Sequence, residues 1–135
     1  MSECPFCERI ANGGDVYATT EFAAAFPDGH PVSNGHTLVV PKRHVSRAEK
    51  LERAEWAGLF DLVREVAGEL ASLPGVEGVN VGINSGEVAG QTVDHAHVHV
   101  IPRRQGDVDD PRGGIRWVIP GKAAYWSQSD GSDER

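Results

Sequence analysis

Asp94-His95-Ala96-His97-Val98-His99-Val100-Ile101-Pro102 is the stretch that decides how this chain reads. Alternate residues of a strand point to opposite faces, so an extended backbone here places three imidazoles on one face and Ala96, Val98 and Val100 on the other. The apolar face belongs to a core. The imidazole face does not, because ring nitrogens are strong polar groups that need partners and would crowd a dry interior. Two chemistries use such a face. Three histidines can converge on one metal that keeps an open position for water. Alternatively, one neutral imidazole attacks phosphorus while its neighbours orient it and donate to phosphate oxygens. The loop just upstream, Asn84-Ser-Gly-Glu-Val-Ala-Gly-Gln-Thr92, offers an amide, a hydroxyl and glycine amides suited to oxyanions, which favours phosphate chemistry.

Outward from this strand the period of apolar residues changes repeatedly. Val79, Val81 and Ile83 alternate with Asn80, Gly82 and Asn84 and predict a neighbouring strand. Trp56, Leu59, Phe60, Val63, Val66, Ala67 and Leu70 line one side of a 3.6-residue helix, which Pro74-Gly75 stops. Ser46 and Glu49 have the spacing of a capping box at its start or at a short preceding turn. Further back, residues 15–18, 21–26 and 36–41 predict three more strands, the last opened by the Asn34-Gly35 turn signal and closed by Pro41. About five strands, one long helix and one or more short helices imply an α+β fold with an antiparallel sheet.

With 135 residues the chain has room for one domain, read as residues 1–126, and residues 127–135 hold no apolar side chain and read as a disordered tail. A composition of 39% hydrophobic and 24% charged residues is that of an ordinary soluble globular protein. The net charge of -7 disfavours non-specific grip on DNA or RNA, while leaving room for a small anion in a local pocket. No run of residues is long and apolar enough for a membrane span, and the start lacks the pattern of a signal peptide, so a cytoplasmic location is expected. Two cysteines, Cys4 and Cys7, are too few for a secreted disulfide framework; they read as metal ligands, redox groups or bystanders. Trp117, Tyr125 and Trp126 near the end read as core or as an interface belt. His30 reads as an ordinary surface histidine.

The stretch Gly90-Gln-Thr-Val-Asp-His-Ala-His-Val-His-Val-Ile-Pro-Arg103 resembles the signature of the histidine triad (HIT) family, His-φ-His-φ-His-φ-φ with φ apolar, at every position. Gly35-His-Thr-Leu-Val-Val-Pro-Lys-Arg-His44 resembles that family's second landmark, and Cys4-Pro-Phe-Cys7 resembles the zinc-binding start of many bacterial and archaeal members. The resemblance implies a nucleotide hydrolase or nucleotidyl transferase, acting on a dinucleoside polyphosphate such as Ap4A or Ap3A and releasing a nucleoside monophosphate, AMP foremost. An adenosine phosphoramidase of the Hint-like type and a non-catalytic nucleotide-binding module are its alternatives. It implies His97 as nucleophile, with His99 and His36 beside it. Asp28 would face the ribose, and Asn84, Gly90, Gln91 and Thr92 the phosphate. It further implies a structural zinc on Cys4, Cys7, His44 and His95, and a homodimer to which the C-terminal segment contributes.

Overall fold

The computed structural model describes residues 3–127. Two compact units divide the chain, Met1–Arg104 and Gln105–Arg135.

The first unit is a five-stranded antiparallel sheet in the order β1-β2-β3-β5-β4, built from β1 (Ala18–Thr19), β2 (Ala23–Pro27), β3 (Thr37–Pro41), β4 (Val76–Ile83) and β5 (Val98–Arg104). Two helices accompany it, α1 (Pro5–Asn12) and α2 (Arg53–Ala71). The period of two sorts the sheet's side chains between two cores. Ala23, Ala25, Val39, Val98 and Val100 pack with Leu59, Leu62, Val63, Val66 and Leu70 of α2. The intervening Ala24, Phe26, Leu38 and Val40 pack with Phe6 of α1. Because Val98 and Val100 face α2, His97 and His99 are directed to the face that carries α1.

Each fully buried Leu or Val under α2 contributes about 1.5–3 kcal/mol through area removed from water. The stripe is Leu59, Leu62, Val63, Val66 and Leu70, whereas Trp56, read as part of it, is 43% exposed and lies against Phe60. The helix does not begin at the expected Ser46/Glu49 pair. Its capping box is Glu52 with Glu55, and Glu55 also receives two hydrogen bonds from Arg43, each 2.7 Å, which hold its carboxyl down to about 2. Ser46 instead donates to Asp94, and Glu49 accepts from Ser85 and Arg47. The two glycines of α2 make opposite predictions. Nothing lies within 4 Å of a Cβ placed at Gly68, so Gly68→Ala should stabilise by about 0.5–1 kcal/mol. At Gly58 the same atom would meet Phe22 Cβ at 2.9 Å, so Gly58→Ala should lower the denaturant midpoint despite the better helix propensity.

Strand boundaries shift from the expected ones. The strand read over residues 15–18 reduces to Ala18–Thr19, although Tyr17 N–H still bonds Ala25 O at 3.0 Å. The histidine strand starts at Val98, with His95 to His97 on its approach, where Ala96 N–H reaches Val45 O at 2.7 Å. Gly35, at φ +104, turns the chain into β3; a Cβ there would stand 3.1 Å from Pro102 and 3.3 Å from Leu73.

The second unit carries a 3-10 turn (Gly114–Val118), the short α3 (Pro120–Ala123) and a 3-10 turn (Tyr125–Ser127). Within it Arg112 lies over the Trp126 ring at 4.6 Å and Arg116 over Tyr125 at 4.5 Å. Ile115, Trp117, Val118, Ile119 and Tyr125 are all exposed, so its aromatics are not a core. Of the tail read over residues 127–135, residues 128–135 lie outside the described residues.

Candidate active site

His97 is buried, 5% exposed, with its ring against Phe6 at 5.0 Å. Its Nδ1 lies 2.8 Å from the carbonyl oxygen of His95. A carbonyl only accepts, so Nδ1 carries the hydrogen, and Nε2 is left with a lone pair. Among the described residues no hydrogen bond engages that Nε2.

His36 and His99 form a directed chain beside it. Val32 N–H donates to His36 Nδ1 at 3.1 Å, which leaves the neutral ring's hydrogen on Nε2. That Nε2–H faces His99 Nδ1 at 3.0 Å and Asp28 Oδ2 at 3.4 Å. Accepting there places the hydrogen of His99 on its own Nε2. The His97 and His99 rings are 5.1 Å apart. Burial pulls both His36 and His99 below the ordinary imidazole range; at His99 the neighbouring His97 and His36 add to it, and at both Asp28 opposes it. The pair is therefore neutral at pH 7, and its approach to Asp28 is a hydrogen-bonding contact rather than an ion pair. Since Asp28 raises both groups, Asp28→Asn should move the NMR titrations of His36 and His99 to still lower pH. Folded values below the unfolded one also mean that the stability owed to neutral burial is complete above about pH 6.5 and is lost as pH falls through the folded values.

A second cluster joins Cys4 and Cys7 of the α1 start to His44 and His95, all four ligand atoms within 4.8 Å of one another. His95 Nδ1 lies 3.4 Å from Cys4 Sγ, 3.5 Å from Cys7 Sγ and 3.1 Å from His44 Nδ1, and Cys7 Sγ lies 3.4 Å from His44 Nδ1. Tetrahedral zinc, with bonds of about 2.0–2.3 Å to N and S, sets its ligands about 3.3–3.8 Å apart. His95 Nε2 faces Pro41 O at 2.8 Å, which fixes the hydrogen there and turns the Nδ1 lone pair toward the sulfurs, as a carbonyl behind a metal-bound histidine does. The donor set fits zinc. Asp28, His36 and His99 also lie within 4.8 Å of one another, but the Val32 N–H keeps a hydrogen on His36 Nε2, so this trio suits hydrogen bonding and not a metal.

Among the described residues no hydrogen bond joins Asn84, Gly90, Gln91 or Thr92 of the loop over residues 84–92 to His97 or His99. Gly90, at φ +100, lies against the Asn84 amide. The Gln91 amide is used within the protein: it accepts from Gly86 N–H at 2.7 Å and donates to Ser46 O at 2.7 Å and Val93 O at 3.0 Å. Thr92 is exposed and borders two cavities, one of about 510 Å³ with Cys4, Cys7 and His44, the other of about 340 Å³ with Ser46, Arg47, Gly86 and Gln91. His30 is exposed, as read, and its N–H caps Asp28 at 2.7 Å. Sequence reading missed Phe6, although Pro5 at the first helical position and Gly13 after the last are ordinary helix signals that place it on α1. It also missed the carbonyls of Pro41 and His95, which no side-chain pattern announces.

Known proteins resemble this chain in sequence and fold. The chain is 40% identical over 105 residues to a bis(5'-nucleosyl)-tetraphosphatase (asymmetrical) of Schizosaccharomyces pombe, a match covering 78% of this chain and 58% of that protein's length. An adenosine 5'-monophosphoramidase of the same yeast is 38% identical, with 74% of each chain covered. The crystal structure of a zinc-bound histidine triad family protein from Mycobacterium smegmatis superposes with a TM-score of 0.67 at 31% identity, covering 86% of this chain and 90% of that one. The HIT domain profile matches residues 12–106, from the end of α1 through β5, and the chain with its paired His97 and His99 belongs to the HIT family.

Proposed function

We propose that the protein hydrolyses dinucleoside polyphosphates through a covalent nucleotidyl intermediate on His97. The observation that carries this reading is the hydrogen bond from His97 Nδ1–H to His95 O, which leaves Nε2 of this buried ring as the attacking nitrogen. The Nε2 lone pair attacks the α-phosphorus, the bond from phosphorus to the bridging oxygen breaks, and its electron pair leaves with the departing phosphate chain. Water then attacks the same phosphorus and gives up a proton to solvent, the P–N bond returns its electrons to the imidazole, and a nucleoside monophosphate is released. His99, with its hydrogen on Nε2, donates to phosphoryl or bridging oxygens, and His36 fixes that tautomer. Asp28 faces the ribose hydroxyls. Asn84, Gly90 and Thr92 present polar groups to the phosphate, and Gln91 braces their loop.

Cys4, Cys7, His44 and His95 would hold a structural zinc, which supplies no chemistry at phosphorus and ties α1 to the approach of β5. The exposed edge of β4, with Val81 42% exposed, supports a homodimer, and the exposed aromatics of the second unit suit its interface. We place the working domain over residues 1–126. Among the described residues no helix is long and apolar enough to cross a membrane, and the acidic charge supports a nucleotide partner over DNA or RNA.

The similarity to the phosphoramidase favours a second reading, in which the same nucleophile cleaves a P–N bond. Turnover of Ap4A, Ap3A and adenosine phosphoramidate, with mass spectrometry for a nucleotidyl adduct on His97, tests both. Hydrolysis without any adduct, or binding without hydrolysis, sinks the covalent reading.

A further inference from the structure

Arg47 stands on the connection between β3 and α2, at the rim of the cavity of about 340 Å³. Its Nε donates to Glu49 Oε2 at 2.8 Å, and Glu49 Oε1 accepts from the Ser85 hydroxyl, so the side chain is tied to the loop over residues 84–92. The guanidinium faces Gly86: a Cβ there would stand 3.2 Å from Nη2, 3.3 Å from Cζ and 3.4 Å from Nη1. Among the described residues neither Nη makes a hydrogen bond. Four N–H donors in a fixed fork therefore look out over a loop backbone beside Thr92. Among the described residues Arg47 is the one cation lining this cavity, in a chain of net charge -7.

We propose that Arg47 anchors the phosphates beyond the scissile bond, which makes this cavity a leaving-group subsite that selects polyphosphate chains over leaving groups without phosphate. The inference rests on the hydrolase reading given above. Arginine binds phosphate bidentately, and its fork is already braced by Glu49, so little side-chain freedom is lost on binding. Glu87 and Asp94 share the rim, and Asp94 already takes the Ser46 hydroxyl. Those carboxylates repel a bare phosphate chain and suit one carrying magnesium, an ion held by one or two carboxylates together with substrate phosphates.

The test compares kcat/KM for diadenosine tetraphosphate with kcat/KM for adenosine phosphoramidate, in magnesium, for the wild type, Arg47→Ala and Arg47→Lys. The expected result is a ratio about tenfold lower in Arg47→Ala, the size of one lost charge-assisted contact, with Arg47→Lys in between because it keeps the charge without the fork. An unchanged ratio overturns the proposal. So do equal losses on both substrates, which is what mere loosening of the loop produces. Those two results leave the hydrolase reading standing; a wild type that cleaves neither substrate overturns that reading and this inference together.

Discussion

His97→Ala should lower kcat/KM for the best nucleotide substrate on the order of 10⁴-fold or more, about 5.5 kcal/mol of transition-state stabilisation, and should abolish the covalent adduct. The size follows from the role. His36 and His99 contribute hydrogen bonds that remain in the variant, but neither can replace the attack: His36 Nε2 and His99 Nε2 both carry their hydrogens, and His36 Nδ1 and His99 Nδ1 are engaged by Val32 and His36. The fold should survive, because His97 lies outside the sheet ladder and Phe6 can settle into part of the vacated space. His97→Gln, which fills more of that space, should be equally inactive. Thermal unfolding distinguishes loss of chemistry from loss of structure. Substantial turnover by either folded variant rejects the nucleophile.

Cys7→Ser should empty the metal cluster and lower Tm by about 10 °C or more, corresponding to roughly 2–4 kcal/mol in a domain of this size. Cys4 and Cys7 belong to the first turn of α1, His44 to the chain after β3 and His95 to the approach of β5, three segments brought together at one point. Apart from that point, α1 is held to the sheet by Phe6, which is buried against Phe26, by Ile10, and by Arg9, which donates to Pro27 O at 2.6 Å and lies over the Phe26 ring at 4.0 Å. Structural zinc in small peptides binds with about 10–16 kcal/mol, most of which goes into folding; here α2 and its core already hold the sheet, so the loss is smaller. Elemental analysis of the purified protein and unfolding with and without a chelator check this. Protein that contains no zinc and unfolds at the same temperature in chelator rejects the structural ion.

The sheet and α2 were legible because each displays a period. His97 and His99 alternate with Val98 and Val100, and Leu59, Val63, Val66 and Leu70 recur at helical spacing; burial enforces both patterns. Leu62 lies outside the stripe read from Trp56 to Leu70 because the face that packs is turned away from the exposed Trp56. The capping box moved because Ser46 and Glu49 have the right residue types, yet their side chains are taken by Asp94, Ser85 and Arg47, contacts distant in sequence. The same limit applies at Gln91, whose amide is engaged by Gly86, Ser46 and Val93. What decides the tautomers, namely the carbonyls of His95 and Pro41 and the N–H of Val32, belongs to the backbone and has no signature in residue type.

His95 takes part in both clusters at once. Its imidazole faces the two sulfurs while its carbonyl sets the Nδ1 proton of His97. Were a zinc bound there, its removal would take one anchor from the His95 ring, while Ala96 N–H, in the same peptide unit as that carbonyl, keeps its bond to Val45 O at 2.7 Å. The tautomer of His97 would then outlast the metal, and a chelator that lowers the unfolding temperature more than it slows turnover would mark such an ion as a fastening rather than a reagent.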